Sequence, residues 1–131
     1  VFGFLAHPEL SAEDEAGRAR GAAAGSGNWA LLDLVAALRW VQQYARCFGG
    51  DPRRVTIWGL SSGAQYACAL LACPAAQGLF HGAVVQSCTD LSSVRKLRSG
   101  SDIWLGRSAE EWGCELGASM GCPRGAGQLA L

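Results

Sequence analysis

No run of eighteen apolar residues occurs anywhere in this chain, so by hydropathy it holds no membrane-spanning helix. An excess of either charge is also missing. Eleven Lys and Arg face 11 Asp and Glu, and a formal net charge of zero favours neither nucleic acid nor an anionic membrane surface as a partner. Histidine is represented only by His7 and His81. The 6 cysteines (Cys47, Cys68, Cys73, Cys88, Cys114 and Cys122) include no C-x-x-C pair, and neither histidine stands at zinc-ligand spacing from them, which argues against a metal site. The first residues, Val1-Phe2-Gly3-Phe4-Leu5, lack an initiating Met, a basic n-region and a small-residue cleavage site, so they do not read as a signal peptide. They read as the end of a buried strand entered midway, and the chain therefore as a fragment.

What is present is apolar material: half of the 131 residues, enough for one domain with its own core. The most informative stretch is Val55-Thr56-Ile57-Trp58-Gly59-Leu60-Ser61-Ser62-Gly63. With 18 glycines in the chain a bare G-x-S-x-G is a weak signal, and the flanks are what strengthen it. A β-branched apolar run enters the motif, and the helix-forming run Ala64 to Leu71 leaves it. Strand, sharp turn and helix in that order form a nucleophile elbow, which holds a serine proud of a parallel sheet. Gly59 and Gly63 are expected there because backbones pass closely and the serine is strained, so that only very small side chains fit. Ser61 is the candidate catalytic nucleophile.

Taken in order, Val1–Ala6 predicts a short strand, and residues 9–27, polar, glycine-rich and without period, predict a surface loop. The acidic run Glu13-Asp14-Glu15 inside it reads as a solvated edge. Asn28 opens the best helix, with Leu31, Leu34, Val35, Leu38, Val41, Ala45 and Phe48 recurring on one face until Gly49-Gly50 stops it. A helix between apolar strands implies a βαβ crossover and a parallel sheet, and the unit repeats from the elbow helix to the strand Ala83–Gln86. The fold class is therefore α/β, a parallel-sheet core with βαβ crossovers. Residues 88–131 read as a helical and loop portion: Arg95, Lys96 and Arg98 form a solvated basic face, and Ser108 caps a helix through Trp112, Leu116 and Met120 that Gly121 ends. Cys68 and Cys73, in or just after an apolar helix, are expected as buried thiols, whereas Cys114 and Cys122 are expected in disulfides. Trp29, Trp40 and Trp58 read as core or near-core aromatics rather than as a cation-binding cage.

A serine hydroxyl is a poor nucleophile unless a base takes its proton. In this type of fold the order is Ser, then Asp or Glu, then His. Only His81 follows Ser61, with no carboxylate between them, so these residues hold a nucleophile without its base.

Several blocks, in order and at matching distances, resemble the type-B carboxylesterase/cholinesterase family of α/β-hydrolases: Gly27-Asn28, Leu32-Asp33, Ala37-Leu38-Arg39-Trp40-Val41-Gln42, Phe48-Gly49-Gly50-Asp51-Pro52, Val55-Thr56-Ile57, the elbow, Gly78-Leu79-Phe80 and Gln86-Ser87. The resemblance covers most of residues 1–87, continues weakly to Gly121-Cys122-Pro123, and implies an internal piece of a larger domain, a partial α/β-hydrolase fold. It implies a serine hydrolase that forms an acyl-enzyme on Ser61, with the backbone N–H of Ser62 steadying the oxyanion and with no cofactor. The implied partner is a small uncharged carboxylic ester. Four positions depart from the family's usual residues: Ser62 where it has Ala, which leaves a backbone donor intact, Leu60 where it has Glu, Leu34 where it has Gln, and Cys88 where it has Gly. The resemblance also implies that Cys122 opens a disulfide loop, which with the cysteine count leans toward secretion. Neuroligin-like members of the same family keep the fold, have lost catalysis and act in adhesion, so a non-catalytic binding module is the alternative reading.

Overall fold

The computed structural model describes residues 2–18, 25–88, 97–98 and 106–122. The chain divides into two compact units, residues 1–30 with 94–131, and residues 31–93.

In the first unit the expected opening strand is absent. Phe2–Phe4 forms one 3-10 turn, closed by the Leu5 N–H donating to the Phe2 carbonyl at 3.1 Å. A strand needs a ladder partner, and among the described residues none pairs with this segment. The loop expected over residues 9–27 is also corrected, because α1 occupies Pro8–Arg18. Proline suits the first helical position, where its missing N–H costs nothing, and Glu9 lies in the first turn, against the positive helix end. The acidic run is more than a solvated edge. Both Asp14 carboxylate oxygens accept from the Gly25 N–H at 3.0 Å, and one accepts from the Ser26 N–H at 2.6 Å. Buried Ser11 and Ser26 share a hydroxyl hydrogen bond at 2.9 Å.

Arg98, expected on a solvated basic face, is half-exposed and pairs with Glu15 at 2.7 Å and Glu110 at 3.2 Å; Arg95 and Lys96 lie outside the described residues. The helix predicted from Ser108 is present as the helix over Ala109–Ser119. Its capping box is complete: the Glu111 N–H donates to the Ser108 hydroxyl at 3.2 Å and the Ser108 N–H to the Glu111 carboxylate at 2.6 Å.

The second unit holds most of the helix α2 (Trp29–Tyr44), followed by a 3-10 turn over Ala45–Phe48. The predicted apolar stripe is largely met, since Val35 and Leu38 are buried and Leu34 packs beside them, together with Leu70, Ala76, Val55, Ile57, Cys73, Leu79 and Phe80. Burying each of the larger side chains removes apolar surface from water and contributes about 2 kcal/mol. Phe48 departs from the stripe and stands 75% exposed, because the helix tightens before reaching it. The Gln42 amide donates to the carbonyls of Pro52 at 2.8 Å and Leu79 at 2.9 Å, joining α2 to the segments before both strands.

Those strands, β1 (Thr56–Leu60) and β2 (Gly82–Gln86), run parallel, paired from Thr56↔Gly82 to Leu60↔Gln86. Between them in sequence lies α3 (Ser62–Leu71), so the expected βαβ crossover is present. Along β1 the side chains alternate, with Ile57 and Gly59 inward and Thr56, Trp58 and Leu60 exposed. The three tryptophans expected in or near a core are instead exposed, Trp58 the most at 70%. Trp58 lies on the outward face of β1, and Trp40 meets Tyr44 and Phe48 in tilted ring contacts with centroids 5.5 and 5.7 Å away.

Candidate active site

Ser61 occupies the single residue between β1 and α3. Its backbone takes φ 55°, ψ −119°, a conformation that an L-residue with a Cβ reaches only under strain. The strain is held from both sides. The Ser61 N–H donates to the Gln86 carbonyl at 3.0 Å, extending the β1–β2 ladder by one bond. The Ser61 carbonyl accepts from the Ala64 N–H at 2.9 Å and the Gln65 N–H at 3.2 Å, which closes the first turn of α3. Backbone tied into strand and helix at once leaves the side chain facing out, and Ser61 is exposed, with its hydroxyl making no cap to the helix below.

Gly59 makes this turn possible. A Cβ built there would lie 2.1 Å from the Gly63 carbonyl oxygen and 2.7 Å from the Ala64 nitrogen, so the strand and helix backbones meet where only hydrogen fits. Gly63 differs from the expectation. A Cβ there meets nothing within 4 Å, because the tight approach lies against its carbonyl and not its α-carbon.

Ser62 is the first residue of α3, and its N–H is among those that a helix leaves without an internal acceptor. Together with the positive end of the helix dipole, that donor suits an anion forming beside Ser61. Leu60, on the exposed face of β1 and 57% exposed, puts an apolar side chain immediately before the serine.

His81 stands apart from this arrangement. The exposed His81 donates its backbone N–H to the Val55 carbonyl at 2.7 Å, at the start of the ladder whose other end carries Ser61. Six residue steps, from position 55 to 61, separate these ends, roughly 20 Å at the usual rise. His7 belongs to the first unit, where its Nδ1 accepts from the Glu9 N–H at 3.3 Å. Among the described residues no group of three His, Cys, Asp or Glu comes together as a metal site.

Two features around the site were not anticipated. Ser87, just past β2, also has positive φ (51°), so strained serines end both strands on the same side. The exposed Trp58 donates its indole N–H at 3.0 Å to the side chain of Gln86, the residue whose carbonyl holds the Ser61 N–H. The only sequence hint of either was a polar Gln86-Ser87 following the apolar run of β2.

All 6 cysteines are thiols here, so neither Cys114 nor Cys122 is bonded to another cysteine of this chain. Cys114 projects from α4 (Ala109–Ser119), and Cys122 follows the Gly121 turn that ends it. Cys68, on α3, and Cys88, past β2, bring their sulfurs to 3.7 Å.

A model of the carboxylesterase family matches residues 18–126. Fumonisin B1 esterase of Sphingopyxis macrogoltabida is 41% identical over 124 residues, which are 95% of this chain and 20% of that protein. Cocaine esterase of Homo sapiens is 56% identical over 62 residues, 47% of this chain and 11% of that protein. Among solved structures, a thermophilic PNB esterase superimposes with a TM-score of 0.66 at 34% identity, covering 93% of this chain and 21% of its own. A Geobacillus stearothermophilus carboxylesterase gives 0.67 at 31% identity, covering 92% and 22%. The chain thus spans about a fifth of the length of the fumonisin esterase and of both solved structures.

Proposed function

The chain belongs to the carboxylesterase family and carries part of its α/β-hydrolase fold, and on that premise we propose that it is the nucleophile-bearing portion of a serine hydrolase of small, uncharged carboxylic esters. The observation that carries this reading is the strained, exposed Ser61, pinned between β1 and α3 above a Gly59 that tolerates no side chain. Relatives named as esterases of fumonisin B1 and cocaine support an ester as the substrate class.

In the proposed reaction the Ser61 Oγ attacks the ester carbonyl while its proton passes to a base. The carbonyl oxygen becomes an oxyanion beside the Ser62 N–H, the alcohol leaves with a proton from the base, and an acyl-Ser61 ester remains. Water, deprotonated by the same base, then releases the acid and restores Ser61. With His81 at the far end of the sheet, this reading takes the base and its orienting carboxylate from beyond these residues.

Leu60 favours a second reading, a non-catalytic binding module, because it stands exposed beside the serine where the resembling family usually places a glutamate. One experiment separates the two. A fluorophosphonate reacts covalently with activated serines and spares ordinary ones. The protein expressed from its whole reading frame is expected to label, and Ser61→Ala to lose the label. A folded protein that takes no label sinks the esterase reading in favour of the binding module.

A further inference from the structure

Cys68 and Cys88 lie twenty residues apart in sequence yet have their sulfurs 3.7 Å apart. The distance of a disulfide is about 2 Å, so the thiols need to close by less than 2 Å to bond. Cys68 is held on the regular helix α3, half-buried, whereas Cys88 is exposed and sits past the last ladder residue of β2, where backbone can shift without breaking a strand pair. One partner is therefore fixed and the other adjustable, and both are reachable by a small oxidant.

We propose that Cys68 and Cys88 form a reversible disulfide that ties the elbow helix to the end of β2. The oxidant is a small-molecule disulfide of the glutathione type. One thiol, as its thiolate, attacks the oxidant, releasing one reduced molecule and leaving a mixed disulfide. The second thiolate attacks the protein sulfur of that mixed disulfide and expels the other reduced molecule. Two S–H bonds are lost and one S–S bond is gained in the protein, while one S–S bond of the oxidant becomes two thiols, so electrons and protons balance.

The bond has a definite structural effect. Ser61 is supported by α3 through its carbonyl and by Gln86 through its N–H, and Cys68 and Cys88 lie just beyond those two supports. Oxidation fixes the spacing between them and closes the loop that contains the turn at Pro74–Ala76 and all of β2. A closed loop has fewer unfolded conformations, so the oxidised form is the more stable one. None of this depends on whether Ser61 is catalytic.

The test uses the full chain, equilibrated with oxidised or reduced glutathione, quenched with iodoacetamide, digested and read by mass spectrometry. The oxidised sample is expected to yield the Cys68 and Cys88 peptides joined and lighter by two hydrogens, and to melt several degrees above the reduced sample. Both the linked peptide and the melting difference should vanish in Cys88→Ser and in Cys68→Ala, two variants that guard against a folding defect in either. The proposal is overturned if both cysteines carry the alkyl label under the most oxidising condition. It is equally overturned if Cys88 is recovered joined only to glutathione or to another cysteine.

Discussion

A Cβ on Gly59 would meet the Gly63 carbonyl oxygen at 2.1 Å, so the two glycines that frame Ser61 touch through backbone alone. The contact is one-sided, since a Cβ on Gly63 meets nothing within 4 Å. Gly59→Ala must push strand from helix and is expected to cost about 3 kcal/mol or more, at the upper end for overpacking. Gly63→Ala adds a methyl in open space on a helix, where alanine is favoured over glycine by about 1 kcal/mol, and is expected to be neutral or stabilising. Urea midpoints of the two variants decide the matter, and equal destabilisation by both would refute the asymmetry.

The capping box of α4 makes a pH-dependent prediction. The Ser108 N–H, then its hydroxyl, and more weakly the charge of Arg107, hold the exposed Glu111 carboxyl below its ordinary value of 4.5. A group whose folded value is lowered contributes stability that is present above its unfolded value and is lost as the pH falls through the folded one. Stability should therefore fall on acidification below about pH 4.5 more steeply in the wild type than in Glu111→Gln. Ser108→Ala, which removes the cap itself, is expected to cost about 1 kcal/mol at neutral pH. Thermal melts across an acid series measure both.

Desolvation, followed by the hydrogen bond and charge of Cys68, pushes the Cys88 thiol above its ordinary value of 9.0. Less thiolate is then present at mildly alkaline pH, and alkylation proceeds through the thiolate. Cys88 in the reduced protein is expected to react with iodoacetamide more slowly than the thiol of an unstructured peptide, and Cys68→Ala to speed it. Equal rates in wild type and variant would show that Cys68 has no hold on it.

Legibility in the sequence followed the range of the interactions. The β1–Ser61–α3 passage is local: a β-branched run, a G-x-S-x-G and a helix-forming run adjoin, and each residue's neighbours in sequence decide its state. The capping box is local too, read from Ser108 and Glu111 three residues apart. Failures came where a distant partner decides. Residues 2–6 have strand-like composition but no ladder partner among the described residues, and α1 is too polar to show an apolar period, being tied down by Asp14 reaching Gly25 and Ser26. Ser87 took a positive φ with no glycine to announce it. Of the site, the nucleophile position and its helix were legible, whereas the approach of Cys88 to Cys68 depends on how β2 returns beside β1.

The parallel register of β1 and β2 sorts this unit into a rim open to change and a body that packing holds fixed. Each strand of such a sheet delivers its last residue to the same rim, as Leu60 and Gln86 already do. Any further parallel strand would set its outgoing loop down beside Ser61 as well. Loops arriving there could lengthen, shorten or change chemistry while the packing of Val35, Leu38 and Leu70 stayed as it is. A lineage built on this unit could thus exchange one substrate for another by editing loops, without having to solve its folding problem a second time.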